Sequence, residues 1–498
     1  MIFRSSISRH LTGVAIVFGI ICLAGCVKED SGKIPLTTKS DEARQYFLEG
    51  RELQEKLRGT ESLVYFRKAV EADSTFAMAY LYLAFAQSSA RDFFSNYYQS
   101  TSLLGDVSEG ERLWILSVEA GINGEAGKQE NLLTRLVKAY PNDERAHTQL
   151  GNFYFGRQDY PQAIAEYEQA RAIDPKLSQI YNQLGYSYRF LGQYEKAETA
   201  FKEYTKLIPN DPNPYDSYAE LLMKTGRFRE SLEMYRKALQ LNSRFIVSHL
   251  GIASDFMYLG FPDSALTQLQ VMYDASQNDG QRRTALLAMA TVYVDEENLV
   301  KGLELVQEQF SLAAMMNDKP SMSADMSVMG TLLLEAGRPE EARDKFEMAL
   351  VYLDSAEVAD EVKQAGKEGL EYSLGRVEIS AGNVAAAREH FQAFMDWAQS
   401  KVDPIQIRQG HQLQGLIEFA VGNYGGARDA FLQANLQNPY NLFRIGQTYE
   451  AEGDRVSARQ WYADAAHFNS VSNLAYALIR KKALAKVDSL KDSAGSTL

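Results

Sequence analysis

Apolar residues recur along this chain at intervals of three and four with polar residues between them, the period of an amphipathic helix and not of a strand. Gly, Asn and Pro interrupt the pattern at regular places, which predicts many short helices and no long coil. Regularity is greatest over residues 144–245. There Gly151, Ala163, Tyr167, Ala170 and Pro175 recur 34 residues later as Gly185, Ala197, Phe201, Tyr204 and Pro209. They recur again as Ala219, Ser231, Tyr235, Ala238 and Ser243, with Tyr204 and Ser243 departing from the pattern. A small residue suits the place where two helices approach closely, and a ring fills the space beyond it. Gly192, Gly226 and Gly260 fall where a first helix ends and a left-handed residue is needed. Pro175 and Pro209 fall where a second helix must stop.

Residues of these types at this period resemble the tetratricopeptide repeat. The resemblance implies an all-α fold, a right-handed superhelical α-solenoid of tandem antiparallel helix pairs. One pair cannot bury its apolar face alone, so neighbours stack into a continuous core. The weaker units extend the pattern. Gly50, Ser62, Phe66 and Ala69 mark a first repeat, with Ser40 as the N-cap of its first helix. An aromatic-rich helix with Phe93, Phe94, Tyr97 and Tyr98 follows. Ser108 to Glu111 reads as a capping box opening a helix that carries Trp114. Ala253, Gly260 and Ala265 mark a repeat after the regular three, and residues 274–283 are expected to form a longer loop and a possible seam. Beyond it the period lengthens, through Gly330 and Phe346, Gly375 and Phe391, Gly415 and Phe431, then Gly446 and Tyr462. The extra residues are expected in second helices and loops. The count is about twelve repeats, divided as an N-terminal array over 40–273 and a longer-period array over 274–470. A capping helix over 471–490, with Ser472 as N-cap, and a disordered tail over 491–498 complete the chain.

The N-terminus changes the picture of where this solenoid works. Arg4, Arg9 and His10 precede an apolar run too short to span a membrane, the layout of a secretory signal over residues 1–25. It ends in Leu23-Ala24-Gly25-Cys26, which resembles the lipobox of bacterial lipoproteins. That resemblance implies cleavage before Cys26 and acylation of its sulfur and new amine, enough chains for stable membrane anchoring. Residues 26–39 are expected to be a flexible tether. Val27 follows the lipidated Cys, which implies retention at the periplasmic face of the outer membrane. Of the two cysteines, Cys22 leaves with the signal and Cys26 is acylated, so the exported fold has no disulfide to lean on.

The net charge of −13 argues against nucleic acid as a partner, because phosphate backbones reward clustered Lys and Arg. The six histidines show no metal-ligand spacing, and His147 and His249 read as packed or groove-edge residues. No phosphate-binding loop or nucleophile elbow is present, so neither an enzyme nor a cofactor is expected. What remains is surface. In the repeat family, certain first-helix positions face the concave groove. Mapped onto this chain they are Asn152 and Phe155, then Asn182, Tyr186, Arg189 and Phe190, then Glu220, then Met257 and Tyr258. Rings there supply contact area and amides fix orientation, although Phe155, Tyr186 and Phe190 could equally pack between repeats. The expectation is a lipid-anchored scaffold holding a segment of another protein. A ligand- or signal-sensing module and a glycan-binding lipoprotein stand as alternatives.

Overall fold

The computed structural model describes residues 32–491, except 57, 88 and 402. The signal segment, Cys26 and the tail beyond 491 lie outside the described residues. Every regular element among the described residues is helical, and the helices come as twelve packed pairs followed by two further helices. The first three pairs are α1 (Asp41–Glu55) with α2 (Gly59–Ala72), α3 (Ala77–Phe85) with α4 (Ala90–Ser102), and α5 (Glu109–Ile122) with α6 (Ala126–Ala139). Four regular pairs follow: α7 (Glu144–Gly156) with α8 (Tyr160–Ile173), α9 (Ser178–Phe190) with α10 (Tyr194–Leu207), α11 (Asn213–Lys224) with α12 (Phe228–Leu241), and α13 (Val247–Tyr258) with α14 (Pro262–Ala275). The next three are longer: α15 (Asp279–Asp295) with α16 (Leu299–Met315), α17 (Lys319–Glu335) with α18 (Pro339–Asp354), and α19 (Asp360–Ser380) with α20 (Val384–Lys401). The last two are α21 (Pro404–Ala420) with α22 (Tyr424–Gln433) and α23 (Pro439–Ala451) with α24 (Arg455–Ala466), ahead of α25 (Leu474–Ala477) and α26 (Arg480–Lys491). The fold is a tetratricopeptide-like α-solenoid.

Local chemistry starts and stops these helices where the sequence says. Ser40 accepts from the Ala43 N–H at 3.1 Å. Ser108 and Glu111 form the expected capping box, each side chain accepting from the other's backbone N–H. Gly192 and Gly226 take φ of +71° and +77° at the ends of their first helices, a conformation that costs a residue with a Cβ. Within pairs, small residues and rings are fitted to each other. A Cβ added at Gly151 would lie 2.5 Å from the Tyr167 ring, and one at Gly185 would lie 2.5 Å from Phe201. Both rings are fully buried.

The structure corrects several expectations. Residues 33–39 are no loose tether. They lie across the starts of α7 and α5 and the end of α2, where Ile34 N–H donates to Asp143 at 2.8 Å, Thr37 N–H to Glu111 at 2.8 Å and the Thr38 hydroxyl to Asp73. These carboxylates attract a strap with N–H and O–H groups to spare. The expected loop over 274–283 shrinks to residues 276–278, because Asn278 caps α15 and accepts from Gln281 N–H at 2.9 Å. The polar residues after it are the helix's first turn, and Arg283 turns inward to a buried ion pair with Asp325. The apolar core runs without a break from Met257 through Leu286 to Met329 across this point. Added length goes into first and second helices alike, with α19 reaching 21 residues against 13 for α9, and not into loops. Finally, the expected helix over 471–490 is broken. Ser472 has φ +38° and caps nothing; Asn473 caps α25 instead. The following α26 packs on α24 as an end cap would, but α25 turns inward against α15 and α23.

That inward turn reflects how far the solenoid winds. It passes through a full turn, so that distant repeats meet. Arg157, at the end of α7, reaches Asp403 at 3.2 Å, and Arg408 of α21 donates to Gln158 at 3.0 Å. At the neighbouring level α4 lies against α17. No helix among the described residues is long and apolar enough to cross a membrane.

Candidate functional site

First helices line the concave side, as the repeat pattern requires. Their inner surface divides into two stretches with opposite fates. Over α11, α13 and α15 the chain's own residues 468–480 occupy it. Lys224 donates its ammonium to the Phe468 carbonyl and sits 3.8 Å from the Phe468 ring centre. Tyr258 donates to the Ser470 carbonyl, and Ser472 N–H donates to the Ser254 hydroxyl at 3.0 Å. Arg480 grips Asp295 with two nitrogens, both side chains being buried.

Most of the groove residues expected from the sequence therefore do internal work. Glu220 accepts from Tyr186 at 2.6 Å and from Arg189 at 2.7 Å. The Arg189 guanidinium lies over the Tyr186 and Phe190 rings. Phe190 stacks on Tyr160 at 5.0 Å, and Phe155 meets both rings edge-on. Asn152 accepts from the Tyr167 hydroxyl at 2.8 Å. Met257 is buried in the core, and Tyr258 is held by the C-terminal segment. Asn182 is the exception: its buried Oδ1 has no hydrogen-bond partner among the described residues. His147 is packed, bonded to Glu166 at 2.7 Å, and His249 lies buried beside Gln268.

Burial in this stretch shifts its titrations. Burial pushes the Asp216 carboxyl up to about 7, against a 2.6 Å hydrogen bond from Ser248 that favours the anion. Burial takes Asp255 to about 8. Neither of its carboxyl oxygens has a hydrogen bond of good geometry, since the nearby Ser231 hydroxyl donates to the Ala219 carbonyl. Lys224 falls to about 8 because it is desolvated and faces Arg189. These are costs of burying polar side chains in this stretch.

The second stretch is open. Between α17, α19, α21 and α23 lies a chamber of about 520 Å³, in the range of small-ligand and peptide pockets. Ser327, Thr331, Tyr372, Arg376, Gln409 and Gln412 face it from successive first helices. Gln158 and Arg408 close one side through the contact between turns, and Leu474 and Leu478 close another. Tyr440 donates to Glu335 at 3.0 Å within it. The sequence reading missed these residues, but the signal was there. Relative to the small residue of each first helix, Ser327, Tyr372 and Gln412 hold the register of Asn182, and Thr331 and Arg376 that of Tyr186. Carrying the register past the change of period finds them.

Comparison with known proteins agrees with this geometry. Residues 143–209 and 213–245 match family models of the tetratricopeptide repeat. The chain thus carries tetratricopeptide repeats where its pattern is most regular. Among similar proteins, the mitochondrial import receptor subunit TOM70 of Saccharomyces cerevisiae is 23% identical over 38% of this chain and 32% of its own length. The small glutamine-rich tetratricopeptide repeat-containing protein 2 of Mycosarcoma maydis is 25% identical over 21% of this chain and 30% of its own. The general transcriptional corepressor trfA of Dictyostelium discoideum is 23% identical over 30% of this chain and 11% of its own. In each case the chain spans about a third or less of the relative's length.

Proposed function

We propose that this protein is an interaction scaffold of the bacterial cell envelope, held by lipid on Cys26 at the periplasmic face of the outer membrane, which takes a segment of a partner protein into its concave chamber. The open chamber between α17 and α23 carries the reading. A groove evolved only for winding would be filled there too, as it is over α11 to α15. Its mixture of Tyr372, amides and guanidinium groups suits a peptide, whose backbone needs both donors and acceptors. Relatives named as a receptor subunit and a corepressor fit a role exercised through contact. A photo-crosslinking residue at Gln412, in membranes of the producing cell, should yield a discrete adduct that the same residue at the exposed Val456 does not. Equal, diffuse labelling at both positions would remove the scaffold reading. Fatty-acid labelling lost on Cys26→Ser would support the anchor, and labelling unchanged would remove it. A chamber of this volume also favours a second reading, a module sensing a small molecule. A thermal-shift screen tests it, since a ligand bound only by the folded state raises the melting temperature.

A further inference from the structure

The chamber's charge narrows what it takes. Elsewhere in this acidic protein, the guanidinium groups buried among the described residues are matched by carboxylates. Arg189 has Glu220, Arg283 has Asp325, and Arg480 has Asp295. In the other large concavity, about 900 Å³ between α1 and α7, Arg51 and Arg145 share Glu55, while Arg44 donates to the Thr38 carbonyl. The chamber breaks this rule at Arg376 and Arg408, which line it from two successive first helices, and Arg444 breaks it behind Tyr440 on the next. Arg376 of α19 meets only the Tyr372 ring, 5.7 Å away, and has no ion pair or hydrogen bond among the described residues. Arg408 of α21 spends its nitrogens on two neutral oxygens, of Gln158 and the Arg157 carbonyl. Arg444 of α23 donates to Gln447 and to the Tyr440 hydroxyl, and its buried Nε has no partner among the described residues. The one carboxylate lining the chamber among the described residues, Glu335, is already engaged by Tyr440 at 3.0 Å and lies 3.8 Å from Lys482.

Half-buried guanidinium groups with neutral partners keep most of their charge unanswered. The planar fork of each is shaped for a carboxylate. Apolar surface lies beside them, from Val328, Ile405, Leu474 and Leu478. We propose that the chamber is a carboxylate-reading site, and that its occupant is an acidic peptide segment whose Asp or Glu side chains meet Arg376 and Arg408 while apolar neighbours rest on the leucines. Arg444 acts at the edge by orienting the Tyr440 hydroxyl. This rests on the chamber's being a partner-binding site and adds the chemistry of the partner.

Isothermal titration of the full chain in detergent tests it with four probes. One is a short capped peptide of alternating leucine and glutamate. The second is its glutamine counterpart, also capped. The third is that counterpart with a free C-terminal carboxylate, and the fourth is glutarate. The expected result is binding of the glutamate peptide, none by the capped glutamine peptide, and a loss of about tenfold or more for Arg376→Gln with the melting temperature unchanged. Arg376→Lys should recover part of the loss. Binding of the third probe or of glutarate alone, with the same loss in Arg376→Gln, would keep the carboxylate chemistry and replace the acidic side chain by a chain terminus or a free acid. Equal binding of both capped peptides would overturn carboxylate reading and leave the scaffold standing. No binding by any probe, or full affinity in Arg376→Gln, would overturn it as well, and the crosslink at Gln412 would then judge the scaffold separately.

Discussion

Two stretches of one inner surface, built from the same repeat, meet opposite ends. Over α11 to α15 the first helices present Lys224, Tyr258 and Asp295, and the returning C-terminus satisfies each of them. Over α17 to α23 the corresponding faces present Thr331, Arg376 and Gln412 to an open chamber. The difference shows that position in the groove does not define a binding site in a solenoid that winds through a full turn. A site is what remains after the chain has covered its own surface. Polar groups in the covered stretch are paired or neutralised, as burial demands. In the open stretch guanidinium groups are left with neutral partners.

The comparison can be broken most severely at Arg480. Arg480→Ala leaves Asp295 buried and unpaired, which should cost about 3–5 kcal/mol and release α25 from the groove. Urea denaturation would show the loss, and hydrogen exchange should show α11 and α13 exchanging faster. A mutant of unchanged stability would mean that the C-terminus does not hold the covered stretch shut.

The next largest effect sharpens the contrast through pH. Asp255 ionises near 4 when unfolded and at about 8 when folded. Its folded pKa is raised, so folding is favoured with the carboxyl protonated and loses stability as pH rises from 4 through 8. Asp216, raised to about 7, acts in the same direction. Asp255→Asn should flatten the fall in urea midpoint between pH 5 and pH 8 by the equivalent of about 3–4 kcal/mol. A slope identical to that of the parent protein would contradict the burial argument.

A smaller effect is expected at the contact between turns. Asp403→Asn weakens the contact with Arg157 and should cost about 1 kcal/mol. The chamber wall at Gln158 should loosen, which small-angle scattering would register as a larger radius of gyration. Smallest of all is His147. Its hydrogen bond to Glu166 raises its pKa, so the pair's stabilisation is full below about pH 6.5 and is lost as pH rises through the raised value. Glu166→Gln should remove less than about 1 kcal/mol, visible at pH 5.5 and absent at pH 9.

Much of this molecule was legible in its sequence. Spacing alone placed the pairs, because a Gly151 facing Tyr167 and a Gly192 closing a helix are local demands with few solutions. The capping box at Ser108 was legible for the same reason. Less was legible of the site. Asn152, Tyr186 and Glu220 were assigned to the groove by register, yet their hydrogen bonds run to neighbours in the same or the next repeat. The chamber residues were missed because the period lengthens after α14, although their register is the same. The strap at 33–39 looked loose because its partners, Asp143, Glu111 and Asp73, lie far along the chain.

The sequence by itself determined the repeating helix pair, its caps and its close approaches, since each depends on residues within a single helix pair. Only the tertiary structure decided which concave surface stays open. That depends on the accumulated rotation from pair to pair, which brings Arg157 to Asp403 and Lys224 to Phe468, and a small angle summed over many repeats is written in no single one of them.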